Sequence, residues 1–227
     1  MQNNKITPGM VRTAFQQECQ SNRDAVLSKT KINALKKYFM IIAKGYCPNF
    51  TVKEEHTGAL NEIFLWCIDA QGRLDPNKGL WLWGENGTGK TTMLYIIKEF
   101  CRQIGKKDPR GSRYGFRITN ANAVSGAFNQ FGYEGIDEYI TTPRQAFDEL
   151  GSEPQLTGHY GTPMNVMQYV LQRRYDTRFN DFTHVTTNLR IEEIADIYGV
   201  RIYDRCKEMF NFVYLGGRTN RKFTNKI

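Results

Sequence analysis

The sequence has few of the residues that build disulfide frameworks, metal clusters or membrane spans. Its five cysteines are scattered and include no CxxC pair, so neither a disulfide scaffold nor a zinc knuckle is indicated. The three histidines, His56, His159 and His184, do not suggest a metal cluster. The longest apolar run, residues 38–43, is far too short to cross a bilayer, and the first residues lead into no apolar signal core. We therefore expect a protein of a reducing compartment, neither secreted nor embedded in a membrane.

Acidic residues are scarce at both ends of the chain. Residues 1–50 contain only Glu18 and Asp24 against eight basic residues, and residues 218–227 contain no acid. The net charge is +8, and these two segments supply more than all of it. Basic ends beside a near-neutral middle are typical of contact with a nucleic-acid backbone, whose affinity falls as salt is added. Two solvated basic segments that aid solubility are the alternative.

A glycine-rich loop is the most informative feature that the chain does have. The sequence GENGTGKT at 84–91 follows a short apolar segment, 80–83, that predicts a buried strand. The residues after it predict a helix, because apolar side chains recur at helical spacing at Met93, Leu94, Ile97, Phe100, Cys101 and Ile104. Backbone N–H groups and the helix dipole would then point at phosphate oxygens.

This loop predicts a nucleotide site. Lys90 would reach the β- and γ-phosphates, and the Thr91 hydroxyl would bind Mg²⁺, an ion that prefers oxygen ligands. A glycine-rich turn without a ligand is the alternative. The predicted nucleotide-binding residues are Gly84, Glu85, Asn86, Gly87, Thr88, Gly89, Lys90, Thr91 and Thr92.

Strands and helices alternate after the loop, which predicts an α/β fold with a five-stranded, mostly parallel sheet. The further predicted strands are 114–119, 145–150, 183–187 and 212–215, and the predicted helices between the last three are 165–175, 192–198 and 201–210. Two amphipathic segments before the loop predict an N-terminal helical, basic extension. We expect this extension to span 1–45 and the core, with a short basic tail, to span 46–227.

An acidic pair, Asp148 and Glu149, ends the third predicted strand. A P-loop ATPase needs a carboxylate that holds Mg²⁺, often through water, and a second that polarises the attacking water. Asp148 suits the first function and Glu149 the second. Only Ala146 and Phe147 are apolar before the pair, so a helix cap or a solvated surface is the alternative.

Three further polar residues are candidates for catalysis. Asn188 closes the run 183–188, where an amide can donate to a γ-phosphate oxygen and accept from water; a strand-end Asx turn is the alternative. Arg201 and Arg205 lie four residues apart and share a helix face. An arginine placed against a neighbouring subunit's γ-phosphate stabilises the transition state, whereas exposed helical ion pairs are the ordinary alternative.

In their order along the chain, these motifs resemble the DnaC/IstB branch of AAA+ ATPases, which includes bacterial and phage helicase loaders. The resemblance covers about residues 79–221. It is carried by GENGTGKT at 84–91, FDELGSE at 147–153, RY at 174–175, TTNL at 186–189, YGVRIYDR at 198–205 and GRTNR at 217–221.

The resemblance implies an AAA+ core and a function for each matching residue. It implies Walker A at 84–91, Walker B at Asp148 and Glu149, sensor 1 at Asn188, the arginine finger at Arg205 with Arg201 as second choice, and a sensor 2-like arginine at Arg221. Twelve residues follow Leu215, so we expect no separate C-terminal lid domain and expect a neighbouring protomer to cover the nucleotide. The cytoplasm of a bacterium, or of the host of a phage, is the expected location.

The resemblance also implies partners. Residues 1–45 would grip a hexameric replicative DNA helicase, and the core would form a homo-oligomer with ATP on single-stranded DNA. The segment 120–139 would occupy an initiator-type insertion near the DNA, although Phe128 and Phe131 at their spacing are more typical of core residues.

Three functions are compatible with these residues. The first is an ATP-dependent helicase loader. The second is an IstB-like ATPase helper of a transposase, which would act on duplex DNA. The third is a nucleotide-dependent DNA-binding adaptor with little hydrolysis, which the polar start of the Walker B strand leaves open.

Overall fold

The computed structural model describes residues 28–107, 111–112, 114–178 and 182–217. Seven helices are present in this part of the chain: α1 (Lys29–Tyr46), α2 (Glu54–Cys67), α3 (Lys90–Gln103), α4 (Ala121–Thr141), α5 (Val166–Asp176), α6 (Glu193–Tyr198) and α7 (Val200–Met209). The strands are β1 (Gly79–Trp83), β2 (Arg117–Asn120), β3 (Arg144–Leu150), β4 (Thr157–His159), β5 (Thr162–Met164), β6 (Phe182–Thr187) and β7 (Phe210–Tyr214).

Five of the strands form one parallel sheet in the order β2-β3-β6-β1-β7. The predicted α/β fold with a five-stranded sheet and N-terminal helices is confirmed. Because all five strands run in the same direction, the loops that follow β1, β3 and β6 leave the same edge of the sheet. This edge carries the glycine-rich loop, the acidic pair and Asn188, and ligands of open α/β sheets bind at that edge.

The core lies on both faces of the sheet. In β1, Leu80 and Leu82 pack in one hydrophobic cluster, whereas Trp81 between them packs in the other. All three side chains are fully buried. The alternation follows from the two-residue period of a strand, and helices on both faces explain why the segment is apolar without interruption.

Helix α1 packs directly on this core. Its Phe39 and Ala43 are buried in the same cluster as α2 and α3, and the ring of Phe39 meets that of Phe100 edge-on at a centroid distance of 5.0 Å. The described part of residues 1–45 is therefore joined to the core by an apolar stripe at helical spacing. Residues 1–27 lie outside the described part of the chain.

The polar start of β3 is part of the strand. Gln145 is fully buried, and its Nε2 donates to Thr119 Oγ1 of the neighbouring β2 at 2.8 Å, whereas its Oε1 is buried without a hydrogen-bond partner. The amide nitrogen is therefore satisfied across the sheet, and the amide oxygen is not. The strand begins at Arg144, one residue before the predicted start.

Two sequence-based predictions are wrong in detail. The second strand is β2, not 114–119, because the backbone N–H of Tyr114 bonds to Lys106 O instead of a strand partner. Phe131, predicted as core, is 57% exposed, whereas Phe128 is buried. Gly132, with φ 64° and ψ −144°, kinks α4 directly after Phe131 and interrupts the helical periodicity. The β4–β5 hairpin was not predicted.

Candidate nucleotide site

The glycine-rich loop joins β1 to α3 as the sequence predicts. Three of its glycines have positive φ, namely Gly84 (144°), Gly87 (80°) and Gly89 (94°), and Gly89 is the N-cap of α3. A Cβ atom on Gly84 would lie 2.6 Å from the backbone oxygen of Leu215. Glycine is therefore required at Gly84 both for the turn and for the close approach of the end of β7. The amides of the first turn of a helix have no acceptor within the helix, and such a terminus is suited to an anion.

Lys90 is held inside this loop. Its Nζ donates to Gly84 O at 2.7 Å, to Glu85 O at 2.8 Å and to Asn188 Oδ1 at 2.7 Å. Burial lowers the pKa of Lys90, although the charges of Glu85, Asp148 and Glu149 oppose the shift. The three contacts bring the predicted sensor residue Asn188 to the predicted phosphate-binding lysine.

Glu85 links the loop to the segment that follows β7. Tyr214 OH donates to its Oε1 at 2.9 Å, and the backbone N–H of Gly217 donates to its Oε2 at 3.2 Å. The backbone amide of Glu85 and the Tyr214 hydroxyl lower the pKa of this carboxyl. Within the loop, Thr88 Oγ1 donates to Glu85 O at 3.0 Å. Asn86 is exposed, and Thr92 is half-buried in the first turn of α3.

Asp148 faces the first turn of α3. Thr91 Oγ1 lies 2.9 Å and 3.1 Å from its two carboxylate oxygens, and Thr186 Oγ1 donates to Oδ1 at 2.5 Å. No group of three or more His, Cys, Asp or Glu residues that could hold a metal was found among the described residues. A hydroxyl and one carboxylate beside a phosphate loop nevertheless fit Mg²⁺, which is usually bound by one or two carboxylates together with substrate phosphates.

Glu149 projects from the same strand into solvent. Its φ is 57°, a left-handed conformation that is uncommon outside glycine. Its Oε2 accepts from Asn120 Nδ2 at 2.9 Å, and its backbone N–H donates to Thr186 Oγ1 at 2.9 Å. The two members of the acidic pair therefore point to different partners, Asp148 towards Thr91 and Glu149 towards the end of β2.

The two arginine candidates have different surroundings. Arg201 is exposed at the start of α7 beside a cleft of about 430 Å³ that Tyr133 and Gln168 also line. Arg205 is half-buried, with its Cζ 4.4 Å from the centroid of the Tyr175 ring, and its Nη1 is buried without a hydrogen-bond partner. In the described part of the chain, neither guanidinium hydrogen-bonds to residues 84–91. Arg221 lies outside the described residues.

Sequence reasoning missed two residues of this site. Thr186 bonds to both members of the acidic pair, and Asn120 binds the Glu149 carboxylate. Thr186 lies on β6 two residues before Asn188, and this two-residue spacing of polar residues is the available sequence signal. Asn120 is also the N-cap of α4, where its Oδ1 accepts from Asn122 N. An N-cap explains an asparagine at this position, so the sequence gives no sign of its contact with Glu149.

No protein-family model matches the chain, and no curated protein sequence matches it. Its fold is similar to solved structures. The crystal structure of the DnaC helicase loader is 16% identical with a TM-score of 0.54, covering 74% of this chain and 94% of that one. The crystal structure of DnaI is 18% identical with a TM-score of 0.55, covering 79% and 92%. A DNA replication initiation factor is 15% identical with a TM-score of 0.51, covering 73% and 48%. The chain has the fold of the DnaC-type AAA+ proteins, as its motifs indicated.

Proposed function

We propose that the protein binds ATP at the loop 84–91 and hydrolyses it. One observation carries the proposal: two hydrogen-bonded pairs, Lys90 with Asn188 and Thr91 with Asp148, meet where the glycine loop caps α3. The oxygens that now surround the Lys90 ammonium would be replaced by β- and γ-phosphate oxygens. Bound Mg²⁺, held by the Thr91 hydroxyl and the Asp148 carboxylate, would neutralise charge on the phosphates.

Glu149 is the proposed general base. It is exposed at the loop edge, so a water molecule can reach it, and the amide of Asn120 orients its carboxylate. Asn188 presents an exposed amide beside Lys90, where it can contact the γ-phosphate and the attacking water. The site is thereby divided between binding by the loop and proton removal by Glu149.

We infer that an arginine of a neighbouring subunit completes the site. Arg201 is exposed and can reach a neighbour without rearrangement, whereas Arg205 would first have to leave the Tyr175 ring. An arginine supplied in this way contributes about a thousandfold or more to hydrolysis. This predicts a homo-oligomer that forms with ATP and hydrolyses it only when assembled.

The proposed biological function is helicase loading. The fold is that of the DnaC helicase loader, and the charged residues of α1 are all lysines. Ile41, which is 65% exposed, lies on α1 beside a groove lined by Lys36, Lys37 and Lys44. Residues 1–45 would bind a hexameric replicative helicase, and the core would contact single-stranded DNA. The sensor 2-like Arg221 would contact the nucleotide.

The test measures nucleotide binding and turnover by the full chain with and without DNA. Wild type should bind ATP, and Glu149→Gln should keep this affinity but lose turnover by about a hundredfold or more. A turnover rate that survives in Glu149→Gln would contradict its function as base. Single-stranded DNA should stimulate hydrolysis in a salt-sensitive manner. Stimulation by duplex DNA alone would favour the transposase helper, and tight binding with negligible turnover would favour the adaptor.

A second measurement addresses the partner. The protein should retain a hexameric replicative helicase from a bacterial extract when ATP is present. Deletion of residues 1–45 is not a suitable variant, because α1 packs in the core and its loss would disrupt the fold. Ile41→Asp is the sharper variant, since Ile41 is exposed and its replacement leaves the core intact. Unchanged helicase retention by Ile41→Asp would remove this face of α1 from the interface.

A further inference from the structure

The Walker B strand contains a β-bulge at the acidic pair. Along β3 and β6, Phe147 pairs with Val185, but the next paired residues are Leu150 and Thr187. Asp148 and Glu149 therefore lie opposite one residue, Thr186. A bulge of this kind bends the strand, interrupts the ladder and re-aims the side chains of the extra residues.

Thr186 supplies the bonds that the interrupted ladder lacks. Its hydroxyl accepts from the backbone N–H of Glu149 at 2.9 Å and donates to Asp148 Oδ1 at 2.5 Å. The side chain is 1% exposed, so water does not compete for these bonds. One oxygen thus fixes the backbone of the proposed base and the carboxylate of the proposed metal ligand.

The conformation of Glu149 explains why such support is needed. A left-handed residue with a Cβ atom costs about 1 kcal/mol or more, and it persists only where its surroundings hold it. Thr91 is the other hydroxyl on Asp148. Once Thr91 turns towards a metal ion, Thr186 is left as the hydroxyl donor that orients this carboxylate.

We propose that Thr186 is a positioning residue of the hydrolytic site, acting through the bulge on both Asp148 and Glu149. The proposal rests on the proposed ATP hydrolysis. It predicts that the Thr186 hydroxyl affects turnover far more than nucleotide affinity, because the phosphate loop is built by other residues. It also predicts that serine can replace threonine and that valine, which has the same shape but no hydroxyl, cannot.

The experiment compares Thr186→Val with Thr186→Ser and with Thr183→Val as a matched control. Thr183 is also buried on β6, but its hydroxyl accepts from Arg174 Nε, away from the acidic pair. Thr186→Val should lower kcat by between about tenfold and a hundredfold, the range for small misplacement of reacting groups, with ATP affinity within about threefold. Thr186→Ser should stay within about threefold of wild type in kcat.

The controls separate a positioning effect from general damage. Thr183→Val should lower the stability of the protein while each folded molecule keeps its kcat. Equal kcat in Thr186→Val and wild type, or an equal loss in Thr186→Ser and Thr186→Val, would overturn the proposal.

A readout without nucleotide distinguishes failure of this proposal from failure of the proposed function. Hydrogen exchange of the Glu149 amide in the ligand-free protein should be about tenfold faster in Thr186→Val, the effect of one lost hydrogen bond, and unchanged in Thr183→Val. If exchange rises but wild type has no ATPase activity, the bulge is held as described and the proposed function is wrong. If exchange does not rise, Thr186 does not hold the bulge.

Discussion

Lys90 and Arg174 are both buried cations, but the groups that accept their hydrogen bonds differ. Arg174 is fully buried and donates to Thr183 Oγ1 and to four backbone oxygens, those of Tyr139, Ile140, Thr142 and Phe182. Lys90 is 8% exposed and donates to two loop oxygens and the exposed side chain of Asn188.

The difference is whether the acceptors can be exchanged. Four of the five partners of Arg174 are backbone oxygens near the end of α4 and at the start of β6, and these would lose their donor without it. The partners of Lys90 lie at an open loop beside free helix amides, where phosphate oxygens can take their place. The proposed nucleotide site is therefore distinguished by the position of the acceptors at the loop edge, and not by the burial of the charge alone.

The largest expected effect is on Arg174. Arg174→Met removes the donor from five acceptors, three in buried and two in partly buried hydrogen bonds, and should lower the free energy of unfolding by about 3–5 kcal/mol. Urea denaturation measures this loss. ATP affinity per folded molecule should be unchanged, and a selective loss of affinity without loss of stability would break the comparison.

Lys90→Met should affect ATP affinity strongly and the free energy of unfolding weakly, the reverse of Arg174→Met. Truncating a buried, hydrogen-bonded charge at a binding site costs about 2–5 kcal/mol, so ATP affinity should fall by about a hundredfold. The free energy of unfolding should change far less than in Arg174→Met, by about 1 kcal/mol, because two of the three acceptors of Lys90 belong to exposed residues, Glu85 and Asn188. Lys98→Ala on the same helix is the control. An affinity equal to that of wild type would mean that the loop does not bind nucleotide through Lys90.

His184 is a third buried basic side chain, and unlike Lys90 and Arg174 it is neutral in the folded protein. Burial lowers its pKa from 6.5 to about 3, so it stays neutral in the folded protein while the unfolded chain takes up a proton below pH 6.5. The contribution of His184 to the free energy of unfolding is therefore fully present above pH 6.5 and is lost as the pH falls towards 3. Between pH 6.5 and 5 the loss should be about 2 kcal/mol.

Urea denaturation at the two pH values tests this, with His184→Gln as the variant. The variant keeps an acceptor near Leu80 N, which now donates to His184 Nδ1, but cannot be protonated. Its stability should depend less steeply on pH than that of wild type. Equal slopes would show that another group dominates the acid sensitivity.

The smallest expected change in stability concerns the two arginine candidates, Arg201 and Arg205. Arg205→Ala removes a cation from the Tyr175 ring and should lower the stability of the isolated protomer by about 0.5–1 kcal/mol. Arg201→Ala should not change protomer stability, because Arg201 is exposed. Hydrolysis in the assembled state, measured on the same variants, should fall sharply for the one that acts as the finger. If neither variant lowers it, the finger is another residue.

Local patterns predicted the parts of the site that depend on neighbours in sequence. The loop of residues 84–91 was predictable because a strand, glycines and a helix follow one another directly, and the order of parallel strands placed Asp148 and Asn188 at the same edge. The bulge between β3 and β6 was not predictable, since the Thr186 hydroxyl that contacts the acidic pair there lies far from that pair in sequence.

The limits of the fold prediction have equally specific causes. Helical periodicity misplaced Phe131 because one backbone angle, that of Gly132, turns α4 at that point. The burial of Arg174 was not apparent from sequence, because its acceptors come from backbone groups that only the folded chain brings together. The polar Gln145 argued against a buried strand at β3, although its amide nitrogen donates to Thr119 across the sheet.

Glu85 connects the loop 84–91 to the end of β7 by hydrogen bonds. Tyr214 and Gly217 both donate to this carboxylate, while Gly84 leaves space for Leu215 with no side chain between them. A loop that widened around a ligand would pull on the residues directly before the basic stretch that begins at Arg218. Occupancy of the loop would thus be coupled to the positions of Tyr214 and Gly217 at the end of β7.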